Sequence, residues 1–191
     1  MIYIFLFKIE NFLLCSLNTL FNFFKTKSKV LYILNPNSNG GKAAGLEGML
    51  RDWEYPSGVS VDIMKTTKPG DAVVYAEENA SKYDVVCAVG GDGTLNEVAN
   101  GLYNAGTGVL GIIPSGTGND FLKGIGRSNN PEESMPSIFT GEKRKIDGGF
   151  AGEHFFLNIA SVGFDATIVK ETETIKKYVR NKCAYYLALI K

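Results

Sequence analysis

The sequence has little of what several common kinds of site require. One histidine, His154, and three cysteines, Cys15, Cys87 and Cys183, are spread over 191 residues, so zinc has no ligand cluster to bind. The cysteines are odd in number, far apart and mostly in apolar company, which reads as reduced thiols in a cytoplasmic compartment. Charge of either sign is not in excess: 20 Lys and Arg balance 20 Asp and Glu. No bulk field would therefore draw in nucleic acid or an anionic membrane, and any membrane contact has to be local. A spanning helix takes roughly 20 uninterrupted apolar residues, and none is found. The apolar opening from Met1 to Phe24 is broken by Lys8, Glu10 and Asn11, and it lacks the early basic region and cleavage site of a secretory signal. It reads either as an amphipathic segment on a membrane surface or as a tail packed on the domain or added by a misassigned start.

What is present is an alternation. From Lys29 onward, short aliphatic runs end in Gly, Asn, Ser or Pro and give way to helix-like segments, the pattern of an α/β parallel-sheet domain. Strands are predicted at Lys29 to Leu34, Val59 to Met64, Asp84 to Val89 and Val109 to Ile113, with helices over Lys42 to Trp53, Gly70 to Ala80 and Thr94 to Tyr103. Beyond Pro131 to Thr140 the character changes. Lys143 to Phe150 and His154 to Val162 read as a hairpin about Ala151-Gly152-Glu153, with helix from Asp165 onward. The expected organisation is an apolar segment over 1–28, an α/β domain over 29–141, and over 142–191 the start of a second domain, incomplete because the sequence stops in an apolar helix at Leu189-Ile190-Lys191.

Three polar turns follow predicted strands. The strongest is Gly90-Gly91-Asp92-Gly93-Thr94, set directly after the apolar run DVVCAV and directly before a helix. Glycines let backbone amides approach phosphate oxygens, and Thr94 with Glu97 has the spacing of a capping box that would aim the positive end of a helix at the same point. Asp92 beside phosphate makes sense if it binds Mg²⁺ or accepts a hydroxyl proton, which favours phosphoryl transfer over phosphate storage. The turns Asn35-Pro36-Asn37-Ser38-Asn39-Gly40-Gly41-Lys42 and Pro114-Ser115-Gly116-Thr117-Gly118-Asn119-Asp120-Phe121 end their own strands alike. Asn119 and Asp120 read either as cleft residues or as a helix cap. None of the three turns contains histidine. His154 is expected at the surface, and the run EKRK from Glu142 to Lys145 as a solvated strand entrance.

The set NPNSNGGK, GGDGTLNEV, GIIPSGTGNDF, KIDGGF and FLNIASVGFDA resembles the catalytic region of diacylglycerol kinases and their bacterial lipid-kinase relatives, which are similar in turn to sphingosine kinases. GGDGT alone is shared with NAD kinases and phosphofructokinases, whereas IIPSGTGNDF at its distance behind GGDGTLNEV is specific to the lipid kinases. The resemblance runs from Lys29 to Lys191. It implies an α/β ATP-binding domain followed by a β-sandwich, with ATP and Mg²⁺ in the cleft between them. Asn35, Pro36, Asn37, Ser38 and Asn39 would hold the nucleotide, as would Gly90, Gly91, Asp92, Gly93, Thr94, Leu95 and Asn96. Thr66 and Thr117 would add hydroxyl contacts, Asn119 and Asp120 would line the substrate cleft, and Asp92 is the one carboxylate expected at the reacting phosphate. Asn39 stands where the family commonly has glycine, and it too tolerates a left-handed backbone. The family's general base lies in a D-G-E-type motif that this sequence does not reach, and no residue set for a dedicated metal site is evident. The implied activity is phosphorylation of a diacylglycerol-like hydroxyl by a cytoplasmic protein meeting its lipid at the inner membrane face. A catalytically silent nucleotide-binding fragment and, more distantly, an NAD kinase are the alternatives. Exposed sandwich edges would favour a homodimer.

Overall fold

The computed structural model describes residues 3–6 and 28–160. Elements are numbered along the chain. Strands are β1 (Tyr3–Leu6), β2 (Ser28–Leu34), β3 (Val59–Lys65), β4 (Val85–Gly90), β5 (Val109–Pro114), β6 (Glu142–Lys145), β7 (Gly149–Ala151) and β8 (His154–Phe156). Helices are α1 (Leu46–Asp52), α2 (Asp71–Asn79), α3 (Asp92–Ala105), α4 (Asp120–Gly124) and α5 (Pro131–Thr140), and a 3₁₀ segment covers Ser38–Gly45.

Six strands form one sheet in the order β3-β2-β4-β5-β1-β6, with parallel pairing from β3 through β5. Both faces are covered over β2, β4 and β5, which is why those three are runs of buried apolar residues, whereas the edge strand β3 alternates apolar and polar residues. Leu31, Ile33, Val86, Ala88 and Leu110 pack with Ala72 and Ala76 of α2 and Leu95, Val98 and Leu102 of α3. On the other face Val30, Tyr32, Leu34, Cys87 and Ile113 pack with Leu50 of α1 and Met135, Ile138 and Phe139 of α5. Burial pushes the Cys87 thiol well above its usual range, as suits an inert core cysteine. The α/β parallel-sheet class expected from the alternation is the class observed.

Four details differ from the sequence reading. Tyr3–Leu6, ahead of the expected domain, is a strand: it runs parallel to β5 and antiparallel to β6, with Ile4 opposite both Leu110 and Arg144. The strand expected over Lys143 to Phe150 is two strands. Glu142–Lys145 closes the main sheet through β1, and only Gly149–Ala151 pairs with His154–Phe156. The EKRK run is exposed throughout and has no apolar face to betray a sheet position. The helix expected from Lys42 is regular only from Leu46, its first residues belonging to the 3₁₀ segment Ser38–Gly45, in which Asn39, Gly40 and Gly41 take positive φ (54°, 65° and 91°). Finally, α5 was not foreseen; it starts with Pro131 at its first turn and the Asn130 side chain accepting from the Glu132 amide at 2.9 Å, and carries Pro136 inside.

The hairpin β7–β8 turns on Gly152-Glu153, with Gly152 at φ 64° and Ala151 opposite His154. It lies against α3, where Asn100 Nδ2 donates to the Phe155 carbonyl at 2.8 Å and Tyr103 stacks on Phe155 at 4.9 Å between ring centres. One compact unit ends at Leu157 and a second begins at Asn158. The expected apolar segment beyond Leu6 and the expected helix from Asp165 lie outside the described residues.

Candidate functional site

The first three expected turns of the parallel sheet meet at its carboxyl edge because the strands that feed them are in register. Leu34 lies opposite Val89, and Gly90 opposite Pro114. The first turn leaves β2 at Asn35, the second leaves β4 at Gly91, and the third leaves β5 at Ser115. A fourth loop, Thr66 to Gly70, leaves β3 beside the first turn, since the Thr66 amide donates to the Leu34 carbonyl at 2.9 Å.

The start of α3 ties all of them together. Thr94 Oγ1 accepts from Asn35 Nδ2 at 3.1 Å, which fastens the first turn; Asn35 Oδ1 in the same side chain takes the Asn37 amide at 3.0 Å and closes that turn on itself. Asp92 reaches the third turn: its Oδ2 accepts from the Asp120 amide at 3.1 Å and its Oδ1 from the Phe121 amide at 3.2 Å. Glu97 reaches the fourth loop, its Oε2 accepting from the Gly70 amide at 3.2 Å. A weaker link joins the first and third turns directly, from Thr117 Oγ1 to Asn39 Oδ1 at 3.4 Å.

The expected capping box does not form. Helix α3 starts two residues earlier than Thr94, at Asp92, and its N-cap is Gly91 with no side-chain cap. Thr94 and Glu97, one helical turn apart on the same side of α3, are spent on other loops instead. The consequence is useful. The amides of Asp92, Gly93 and Thr94 have no acceptor among the described residues, so three donors and the positive end of a helix of 14 residues stand open at the site.

Close packing of backbone explains two of the glycines. A Cβ on Gly91 would lie 3.1 Å from the Gly116 Cα, and one on Gly116 would overlap the Gly91 Cα outright. The second and third turns therefore cross with bare backbone in contact, joined by the Ser115 amide donating to the Gly90 carbonyl at 2.8 Å. Asn119, also at positive φ (51°), heads α4 but does not cap it. Its buried amide group stitches the third turn, Oδ1 accepting from the Gly116 amide at 3.1 Å and Nδ2 donating to the Gly116 carbonyl at 3.0 Å and to Asn129 Oδ1 at 2.7 Å. The cap of α4 is Asp92, from another element.

The two carboxylates of the site converge. A Cβ on Gly118 would sit 3.0 Å from Asp92 Oδ2 and 3.3 Å from Asp120 Oδ2, so both oxygens face one point. Asp120 is exposed and also pairs with Lys123 at 3.0 Å. Among the described residues no group of three or more His, Cys, Asp or Glu could hold a metal by itself. A half-buried and an exposed carboxylate side by side are nonetheless an arrangement that suits Mg²⁺ carried on phosphates. Ser115 Oγ is buried with no hydrogen-bond partner among the described residues, a polar atom left over in the wall of the site.

Of the residues singled out in the sequence, Asn35, Asn39, Gly90, Gly91, Asp92, Thr94, Thr117, Asn119 and Asp120 belong to this linked assembly. Asn37, Gly93 and Asn96 are exposed at its surface, with Pro36 and Ser38 half-buried. Thr66 is buried at the end of β3. Leu95 is different: its side chain is in the core and its amide donates to the Gly91 carbonyl at 3.0 Å, so it offers a ligand nothing polar. A recess of about 10 Å³ beneath Gly90, Gly91 and Asp92, lined by Leu95, Ile112 and Leu122, is too small for a ligand, which must lie over the turns. Sequence reading placed Gly116 and Gly118 in the third turn without giving either a role, and missed Asp71 and the tethering role of Glu97. Asp71 Oδ2 accepts from the Thr67 amide and hydroxyl, each at 2.8 Å, and from the Lys68 amide at 3.0 Å, and these donors hold its carboxyl below the usual carboxylate range. The T-K-P-G-D spacing ahead of a helix was the available signal.

Residues 29–151 match the family described as "Diacylglycerol kinase catalytic domain". A diacylglycerol kinase of Staphylococcus aureus (strain JH9) is 36% identical over 133 residues, which is 69% of this chain and 42% of that protein. The chain thus spans about two-fifths of the length of this curated relative. Among solved structures, a diacylglycerol kinase from Bacillus anthracis str. Sterne superposes with a TM-score of 0.59 at 29% identity, covering 80% of this chain and 54% of that one. A second structure from the same strain gives 0.61 at 31% identity, covering 82% and 58%. Sequence and fold agree, and the chain belongs to the diacylglycerol kinase catalytic-domain family.

Proposed function

We propose that this chain binds ATP across its glycine-rich turns and serves phosphoryl transfer to the hydroxyl of diacylglycerol or a similar lipid. The observation that carries the reading is the set of open amides at Asp92, Gly93 and Thr94, set between two polar turns and beside two convergent carboxylates. Phosphate oxygens would take those amides, helped by the positive end of α3. The exposed Thr117 hydroxyl would be a further donor beside the turns.

Asp92 and Asp120 would hold Mg²⁺ on the phosphates; bound there, the ion neutralises the charge of the transferring phosphoryl group. Asp92 then has two duties, because it also holds the third turn in place through the Asp120 and Phe121 amides. Such fixed donors act without reorganising as charge develops, which is where their catalytic value lies. Among the described residues no helix is long and apolar enough to cross a membrane, which fits a lipid met at a surface.

The test is transfer of labelled phosphate from Mg-ATP to diacylglycerol in mixed micelles, comparing the purified protein with Asp120→Asn. Transfer that falls at least tenfold in the variant supports the reading. Absence of transfer together with retained ATP binding would leave a nucleotide-binding fragment, the alternative reading; absence of both would sink the proposal.

A further inference from the structure

We propose that Glu97 is a positioning residue for the nucleotide site, holding the Thr66–Gly70 loop against α3. The inference rests on the nucleotide-binding reading above and adds a part to it.

Loop 66–70 is built as a rigid piece. Asp71 gathers the Thr67 amide, the Thr67 hydroxyl and the Lys68 amide on one oxygen, and Gly70 takes φ 88° immediately before α2 begins. A rigid piece still needs to be placed. At its start the Thr66 amide is fixed to the Leu34 carbonyl, the last rung beside the first turn. At its end the loop's side-chain link to the rest of the site, among the described residues, is the Gly70 amide donating to Glu97 Oε2 at 3.2 Å. The bond has a charged acceptor, which roughly doubles its strength over a neutral one, and it sets an anion at the start of α2, where the helix dipole favours it.

The same stretch of α3 sends Asp92 and Thr94 to the other two turns. Glu97 completes this arrangement, so one short segment sets the positions of three loops relative to the open amides. Release of Gly70 would let the Thr67–Gly70 part of the loop move about its fixed end at Thr66, and that part would lose its register with the phosphate cradle. The substitution acts on nucleotide affinity through the loop, with Glu97 itself touching no ligand.

The experiment compares Mg-ADP affinity by titration calorimetry for the wild-type chain, Glu97→Ala and Glu97→Gln, with amide hydrogen exchange at Gly70 and the thermal midpoint recorded for each. The expected result is a loss of about tenfold in affinity for the alanine variant, with faster exchange at Gly70. Glutamine keeps an oxygen that can accept from Gly70 and should restore most of both, a rescue that loss of global stability alone would not give. Should the alanine variant fail to fold, Glu97→Asp, one methylene too short for Gly70, asks the same question. Wild-type affinity in a variant whose Gly70 amide exchanges freely would overturn the inference. Failure of the wild-type chain itself to bind ADP would instead sink the nucleotide-binding reading, and this inference with it.

Discussion

Gly91 and Gly116 meet backbone to backbone where the second and third turns cross, closely enough that a methyl group on Gly116 would overlap the Gly91 Cα. Neither atom is the far end of a flexible side chain, so the clash cannot be relieved by a rotamer change. Gly116→Ala should cost about 1–3 kcal/mol, the usual range for forced overpacking, and should weaken nucleotide binding because the cradle spreads. Urea unfolding of the variant checks the first part and calorimetry the second. Unchanged values for both would mean that the turns are not packed as described.

Asp92 is expected to matter even without nucleotide. It is the cap of α4 from outside that helix, and loss of a capping acceptor costs about 1 kcal/mol. Asp92→Ala should therefore unfold at lower urea in nucleotide-free buffer, and Asp120→Asn, whose side chain caps nothing, should not. Equal stability of Asp92→Ala and wild type would show the capping bonds to be without weight.

The strand Tyr3–Leu6 sits between β5 and β6, so its backbone is paired on both sides. Ile4→Pro removes an amide from that ladder and should cost on the order of 1–3 kcal/mol while exposing sheet edges. A lowered thermal midpoint with a rise in aggregation is the outcome expected from differential scanning fluorimetry and light scattering. A variant as stable and as monodisperse as wild type would show that the strand contributes nothing to the sheet.

Asp71 gives a dependence on pH with a definite sign. Hydrogen bonds from Thr67 and Lys68 lower its pKa in the folded state, so its contribution is complete above the unfolded value of about 3.9 and is lost as pH falls through the lower folded value. The wild-type urea midpoint should therefore drop more steeply than that of Asp71→Asn as pH is taken down from about 4. Parallel profiles over that range would contradict the assignment.

The core of the fold was legible in the sequence because three buried strands, β2, β4 and β5, announce themselves as aliphatic runs ended by Gly, Asn or Pro. Their edges were less so. Glu142–Lys145 carries four exposed polar residues and joins the sheet only because β1 offers it a neighbour. Nothing local marks Tyr3–Leu6 as that neighbour, since all its partners lie more than a hundred residues away in the chain. The site shows the same division. The three turns could be read from glycine and asparagine, and the left-handed Asn39 was expected from its side chain and is found at φ 54°. The uses of Thr94 and Glu97 could not, because T-x-x-E spacing is satisfied equally by a local cap and by two long-range bonds. Only the arrival of Asn35 and Gly70 at that helix decides between them.

Gly93 offers the most direct test of the central claim. It is exposed in the first turn of α3, and a Cβ built there meets nothing within 4 Å, so Gly93→Leu should fold as well as wild type, with a side chain standing over the open amides. Titration calorimetry with Mg-ATP should give saturable binding to the wild-type chain and none to the folded variant. Equal binding by the two would show that the nucleotide does not use the amides at the start of α3, and the account of this site would be wrong.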